Sequence, residues 1–104
     1  MKYIEYHGTP FYPCQFWSLI RTLIREGYRL QIEIVNHGFK SNPIPCISIT
    51  VSKVPHNNAT QFERVTFAYA RTHWSALVQV TQHLILREQA VKEMLSHGHE
   101  IPDR

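Results

Sequence analysis

A long stretch of helical periodicity, from Thr72 to Ser96, constrains the fold more than any other part of the chain. Its apolar residues recur at spacings of three, four and seven, which is typical of one amphipathic helix. The main stripe consists of Leu77, Val80, Leu84, Val91 and Leu95. Thr72 or Ser75 is the predicted N-cap, and Gly98 is the predicted end of the helix. At about 1.5 Å per residue this helix would be roughly 33 Å long, so the preceding chain is expected to cover its apolar face.

A shorter helix is predicted near the N-terminus, over residues 11–26. Its apolar side chains fall on one helical face, Pro13 suits the first turn, and Gly27 suits the position after the last turn. Residues 1–10 precede it and are expected to form a short strand or an ordered arm. The two helices then enclose about 45 residues of a different character.

Those intervening residues alternate between apolar and polar with the period of two that half-buried strands show. Strands are predicted over residues 28–36, 46–54 and 62–70, with loops over residues 36–45 and 55–60, where glycine, asparagine and proline cluster. The expected fold class is α+β, in the order α-β-β-β-α. A three-stranded antiparallel meander would be covered by two helices on one face, with the N-terminal strand or arm added.

The opposite face of this sheet is predicted to be solvated. It would carry Arg29, Gln31, Glu33, Ser48, Thr50, Ser52, Arg64 and Thr66. The apolar face would include Val65, Phe67 and Tyr69 from the third strand. Cross-strand charge pairs on a solvated face contribute little, so this surface is interpreted as structural.

Composition favours one packed domain spanning residues 1–104, with residues 97–104 as a frayed tail. The chain has 104 residues, 43% of them hydrophobic, and a net charge of +3 with neutral histidines. Its Lys and Arg residues form no run, so a nucleic-acid partner is permitted but not required. Its apolar runs are too short for a membrane span, and no secretory leader is apparent. An intracellular location, cytoplasmic or nuclear, and no membrane partner are expected.

No motif indicates catalysis. Cys14 and Cys46 lack metal-ligand spacing and are expected to be buried structural thiols. His97 and His99 are close together, but two ligands do not complete a zinc centre. The carboxylates show no paired helical spacing, and no glycine-rich phosphate loop is present. The sequence therefore predicts a chain that is not an enzyme and has no cofactor and no metal.

From the first helix onward, the element order resembles that of the double-stranded RNA-binding domain. Tyr28 matches an aromatic residue that opens the family's first strand, and residues 36–38 match a histidine-containing loop. The family's lysine-rich motif at the start of the last helix is replaced here by residues 71–77, which retain one arginine, one histidine and an alanine. The resemblance implies RNA contact through His37, Lys40, Arg71 and His73. Degenerate members of the family keep the fold and use it for protein contacts.

A protein partner is preferred to RNA because the cation cluster that would bind phosphates is missing. The long helix has a second apolar flank beside its main stripe, and this flank predicts a homodimer or another protein partner. The predicted interface residues are Trp74, Val78, Ile85 and Leu86. Two alternatives remain open: the edge of the third strand, at residues 62–70, pairs with a second copy, or the first helix and the N-terminal arm cover the flank.

Overall fold

The computed structural model describes residues 2–39, 42–53 and 63–100. The N-terminal segment is a hairpin, in which β1 (Ile4–Tyr6) pairs antiparallel with β2 (Thr9–Phe11). His7 and Gly8 form its two-residue turn, with φ values of 51° and 81°. Positive φ at both central residues is the type I′ geometry that matches the twist of a hairpin. The predicted single strand or arm is therefore a pair of strands, and it is anchored by the buried side chains of Ile4, Tyr6 and Phe11.

The first helix is confirmed but begins later than predicted. A 3₁₀ turn over Pro13–Gln15 leads into α1 (Phe16–Arg25). Phe11 is not helical because it pairs with Ile4 in the hairpin. Leu19, Ile20 and Leu23 are the buried residues of α1, and Gly27, with φ of 97°, follows its C-terminus. A glycine in this conformation ends a helix without the steric cost that a Cβ atom would bring.

The main sheet consists of β3 (Tyr28–Phe39), β4 (Asn42–Lys53) and β5 (Glu63–Ala70), all antiparallel and in that order. The predicted meander is confirmed, but the loop predicted over residues 36–45 is wrong. β3 and β4 continue as a ladder to the pair Phe39 and Asn42, through Pro43 and Pro45. β5 reaches β4 only as far as Ile47, so within the described residues both prolines lie where β4 is paired with β3 alone. Residues two apart in a strand have their backbone N–H positions on the same side, so both prolines lack a donor on one side of β4. Proline is tolerated there because that side makes no ladder hydrogen bond.

The helices cover one face of the sheet, as predicted. The central strand supplies Ile47, Ile49 and Val51 to the core, and all three are buried. After the bulge in β5 the predicted faces are reversed: Ala68 lies opposite Ile49 and is buried, whereas Phe67 and Tyr69 point to the other face and are exposed. Val65, at the bulge, packs against the core as predicted. Small residues beneath the second helix allow it to pack closely, and the larger aromatic side chains remain outside.

The reversal also changes the predicted solvated face. Thr66 lies opposite Val51 on the helix-covered face, where its hydroxyl is 2.9 Å from His83 Nδ1. Ser48 stays on the outer face but is buried, opposite Tyr69. On the same face Phe67 and Tyr69 meet edge to face, and the Arg64 guanidinium lies over the Phe67 ring. The outer face is thus partly aromatic around β5 and not uniformly polar.

The long helix α2 (His73–Glu100) packs against β4, β5 and β1. Thr72 is its N-cap, because its hydroxyl oxygen accepts a hydrogen bond from the Ser75 amide at 3.1 Å. The helix passes through Gly98, where it was predicted to end, since one glycine costs a helix only about 1 kcal/mol. Leu77, Val80 and Leu84 are buried, whereas Val91 and Leu95 continue the same stripe on an exposed part of the helix.

Candidate functional site

The predicted interface on α2 is mostly part of the core. Val78 is only 6% exposed, so its assignment to a surface is wrong. Trp74 and Ile85 are partly buried and pack against the core, and Leu86 alone is open, at 62% exposure. The physical reason is that α2 contacts the sheet and also the hairpin strand β1, so more than one flank of the helix is covered.

The residues predicted to contact nucleic acid fall at one end of the sheet, as far as the structure describes them. Arg71 and His73 are exposed at the start of α2. Arg71 lines a shallow cavity with Ile44, and Ile44 is paired with His37 in the β3–β4 ladder. Lys40 and the side chain of His37 lie outside the described part of the chain. Arg71 and the backbone of His37 are thus brought to the same end of the sheet.

A cluster of ionisable side chains that the sequence did not predict joins four parts of the fold. It consists of Tyr6, His7, Glu26, Tyr28 and Glu88, and we refer to it as the Tyr–His–Glu cluster. Tyr6 and His7 come from the hairpin, Glu26 from the C-cap of α1, Tyr28 from the start of β3 and Glu88 from α2. Their separations in sequence reach 82 residues, so the fold alone brings them together.

His7 bridges the two carboxylates of this cluster. Its Nε2 atom is 2.7 Å from Glu88 Oε1, and its Nδ1 atom is 3.2 Å from Glu26 Oε2. The ring stacks on Tyr6, with centroids 4.1 Å apart. A hydrogen bond to Glu88 is the main cause that raises the pKa of His7 above its usual value. The hairpin turn therefore presents one imidazole to two acidic groups at once.

Two tyrosine hydroxyls hold the carboxylates from the other side. The Tyr6 hydroxyl donates to Glu26 Oε1 at 2.7 Å and lies 3.3 Å from Glu88 Oε2, and the Tyr28 hydroxyl donates to the same Glu88 oxygen at 3.3 Å. Burial is the largest cause that raises the pKa of both phenols, and the neighbouring carboxylates act in the same direction; the pKa of Tyr28 rises to about 12. Both tyrosines are therefore neutral donors at physiological pH.

Two open cavities border the cluster. One, of about 270 Å³, is lined in part by Glu5, His7, Glu88 and Lys92. The other, of about 370 Å³, has a more basic rim formed by Lys53, Arg87 and Lys92, with the Lys53 ammonium 4.8 Å from the Tyr28 ring centroid. The Glu88 carboxylate and the His7 imidazole are therefore accessible to small solutes. This combination can exchange protons or bind a cation.

The cysteines take no part in this arrangement. Cys14 is exposed, so the expectation of a buried thiol is wrong there, because the residue lies in the 3₁₀ turn and not within the helix. Cys46 is partly buried within β4, one residue before the part of that strand that pairs with β5. Neither residue lines the cavities beside the Tyr–His–Glu cluster.

Sequence reasoning missed the cluster because each member has an ordinary local explanation. The sequence pattern places Glu26 at the end of a helix and Glu88 on the exposed side of one, and neither position suggests a site. His7 carried the only usable signal, since His-Gly after a short alternating segment fits a type I′ turn and would have indicated a hairpin.

Comparison with protein-family models, with curated proteins and with solved structures finds no match to this chain. The function must therefore be argued from the geometry. Among the described residues, no helix is long and apolar enough to cross a membrane.

Proposed function

We propose that this chain is a non-catalytic protein-interaction module that forms a homodimer through the edge of β5. The proposal rests on the backbone hydrogen-bonding groups along that edge. Within the described residues, β5 pairs with β4 alone, so its other side offers backbone donors and acceptors to another strand. Phe67 and Tyr69 lie along it at 41% and 45% exposure.

The C-terminal part of β5, residues 66–70, lacks the features that usually protect an edge. Residues 66–70 contain no charge and no proline, and the bulge of the strand lies before them, opposite Val51 and Ser52. Natural edge strands are commonly blocked by lysine, proline or a bulge, because an open edge is a template for strand addition. Residues 66–70 are therefore suited to pairing with an extended segment.

A second copy of the chain is the occupant we propose, because β5 complements itself about a two-fold axis. If the axis passes through Phe67, an antiparallel pairing sets each Phe67 against its symmetry mate. The same register brings Glu63 of one copy to the end of the pairing where Arg71 of the other lies, and it does so twice. The two side chains are not directly opposed, because the bulge turns Glu63, the partner of Lys53, toward the helix-covered face. The two sheets would join into one sheet of six strands, with a continuous aromatic strip on its outer face.

This register predicts the outcome of a charge exchange. We expect Glu63→Arg and Arg71→Glu each to raise the dimer dissociation constant by about two- to fivefold, because two attractions between exposed charges become two repulsions worth about 0.5–1 kcal/mol in total. The double exchange should restore the wild-type constant. Sedimentation equilibrium at low salt measures all three variants.

Two outcomes of this exchange would contradict the register. One is a double variant that dimerises as poorly as either single variant. The other is single variants that dimerise as wild type does. Gln31→Arg on β3 adds a charge to the outer face away from β5 and serves as the control.

Duplex RNA binding is the alternative function, and one observation favours it. Arg71 and His73 are two of the cationic positions implied by the resemblance, and both are exposed. They lie at the end of the sheet where the β3–β4 ladder extends beyond β5. Phosphate contacts would make the affinity depend steeply on salt.

If this alternative holds, wild type binds a duplex RNA of about 16 base pairs at low salt. Changing both Arg71 and His73 to Ala should then weaken binding by at least about tenfold and reduce the salt dependence. Fluorescence anisotropy at two salt concentrations checks this. Binding that is absent, or that the double variant leaves unchanged, removes RNA as the partner of this surface.

A further inference from the structure

Three groups with metal-binding chemistry converge at the centre of the Tyr–His–Glu cluster. His7, Glu26 and Glu88 each offer one ligand atom, and these atoms lie within 4.8 Å of one another. They come from the hairpin turn, the end of α1 and the middle of α2. We propose that these three residues form a binding site for a divalent transition-metal ion, with Zn²⁺ as the best match. Imidazole and carboxylate together suit zinc, and most other first-row divalent ions bind such ligands less tightly.

The three ligand groups are close enough for a single ion to draw them together. In a tetrahedral zinc site with bonds of about 2.0 Å, ligand atoms are roughly 3.3 Å apart. Here one ligand atom from each residue lies within 4.8 Å of the others, and the shorter contacts of His7, 2.7 Å to Glu88 and 3.2 Å to Glu26, are made by two different ring nitrogens. One nitrogen can bind the ion, so a small movement of the His7 ring must direct that nitrogen toward both carboxylates. The His7 side chain is 52% exposed, so there is room on the solvent side for this movement.

The tyrosines orient each carboxylate in the way that a second shell of a metal site does. Tyr6 donates to Glu26 Oε1, and Tyr28 donates to Glu88 Oε2. The remaining oxygens, Glu26 Oε2 and Glu88 Oε1, are the two that face His7. One oxygen of each carboxylate is thus fixed by a phenol while the other is left for an ion. Hydrogen bonds of this kind to ligating groups set both geometry and affinity.

Charge and access also fit a cation with an incomplete protein shell. The two carboxylates supply two negative charges, which a divalent ion would neutralise. The cavities of about 270 and 370 Å³ both reach His7 and Glu88, so water or a small anion can supply a fourth ligand. Three protein ligands plus an exchangeable fourth are the arrangement of zinc sites that remain open to solutes.

The test is titration of Zn²⁺ into the full chain, stripped of metal, by isothermal calorimetry. We expect one ion per chain. Glu26→Gln keeps an oxygen for the Tyr6 hydrogen bond but removes the charge, and His7→Ala removes the imidazole. Each should weaken binding by at least about a hundredfold, and Tyr6→Phe should weaken it by roughly ten- to a hundredfold. Glu5 lines the same cavity but is not one of the three proposed ligands, so the control variant Glu5→Gln should bind zinc as wild type does.

A second readout separates this site from the histidines near the C-terminus. Replacing both His97 and His99 by Ala should leave zinc affinity unchanged. Co²⁺ bound to wild type should give visible absorption bands that Glu26→Gln abolishes, while circular dichroism shows that this variant is folded. The proposal is overturned if wild type binds no zinc, if Glu26→Gln and His7→Ala bind it normally, or if the tail variant alone loses binding. None of these results depends on whether the chain dimerises.

Discussion

Leu84→Ala is expected to destabilise the protein by about 2–5 kcal/mol. Leu84 has no exposed surface and lies in α2, in the cluster that joins both helices to the sheet. Truncation removes buried methyl groups and leaves a cavity whose walls relax only in part. For a domain of this size that loss is a large part of the total stability, which is about 5–15 kcal/mol. Urea denaturation, followed by circular dichroism at one fixed protein concentration, measures it.

Leu86→Ala is the matched control, because it makes the same chemical change two residues along the same helix. Leu86 is largely exposed, so we expect a change within about 0.5 kcal/mol. Equal losses for the two variants would mean that the side of α2 assigned to the core is wrong. Holding the protein concentration constant prevents dimerisation from contributing to the difference.

Phe67→Lys is expected to dissociate the proposed dimer, with the dissociation constant raised by at least about a hundredfold. In the proposed register the two Phe67 side chains oppose each other at the two-fold axis, so the change replaces an aromatic pair by two facing ammonium groups. Like charges set against each other in an interface cost several kcal/mol. The monomer should tolerate the change because Phe67 is exposed on the outer face of the sheet. Size-exclusion chromatography with light scattering measures the change.

Gln31→Lys places the same charge on the same outer face, but on β3, and should leave the dimer intact. Dissociation by both variants would indicate a general effect of charge. Dissociation by Gln31→Lys alone would indicate that the interface is at the edge of β3. An unchanged dimer in Phe67→Lys would remove β5 from the interface.

Periodicity predicted the parts of this fold that have one clearly apolar side. The stripe of α2 and the alternation of β3 and β4 were sufficient to place two helices on one face of an antiparallel meander. These patterns are reliable because burying one face requires the apolar residues to recur with the geometric period of the element. The N-cap at Thr72 was likewise readable, since its hydroxyl acts within one turn of the helix.

The face of β5 was not predictable from hydrophobicity. Phe67 and Tyr69 are larger and more apolar than Thr66, Ala68 and Ala70, so the sequence favoured the wrong set beyond the bulge. What decides the face is the space beneath α2, which is a tertiary property. The extension of the β3–β4 hairpin through Pro43 and Pro45 was missed for a similar reason. Proline is compatible with a strand where no partner needs its donor, and only the length of β5 shows where that is.

The Tyr–His–Glu cluster could not be predicted because no local pattern encodes it. Its hydrogen bonds join residues that are 20, 60 and 82 positions apart. The position of His7 depends on the hairpin turn, and that of Glu88 depends on how α2 crosses the hairpin. Only a correct three-dimensional arrangement of β1, α1 and α2 reveals that they meet.

The molar mass of the wild-type chain in solution tests the central claim, self-association through β5, most directly. Light scattering should be recorded on a dilution series spanning at least a hundredfold in concentration, with Phe67→Lys alongside. The account predicts a mass of twice 12.2 kDa for wild type at high concentration, falling on dilution, and 12.2 kDa throughout for the variant. A wild-type mass of 12.2 kDa at every concentration would contradict it.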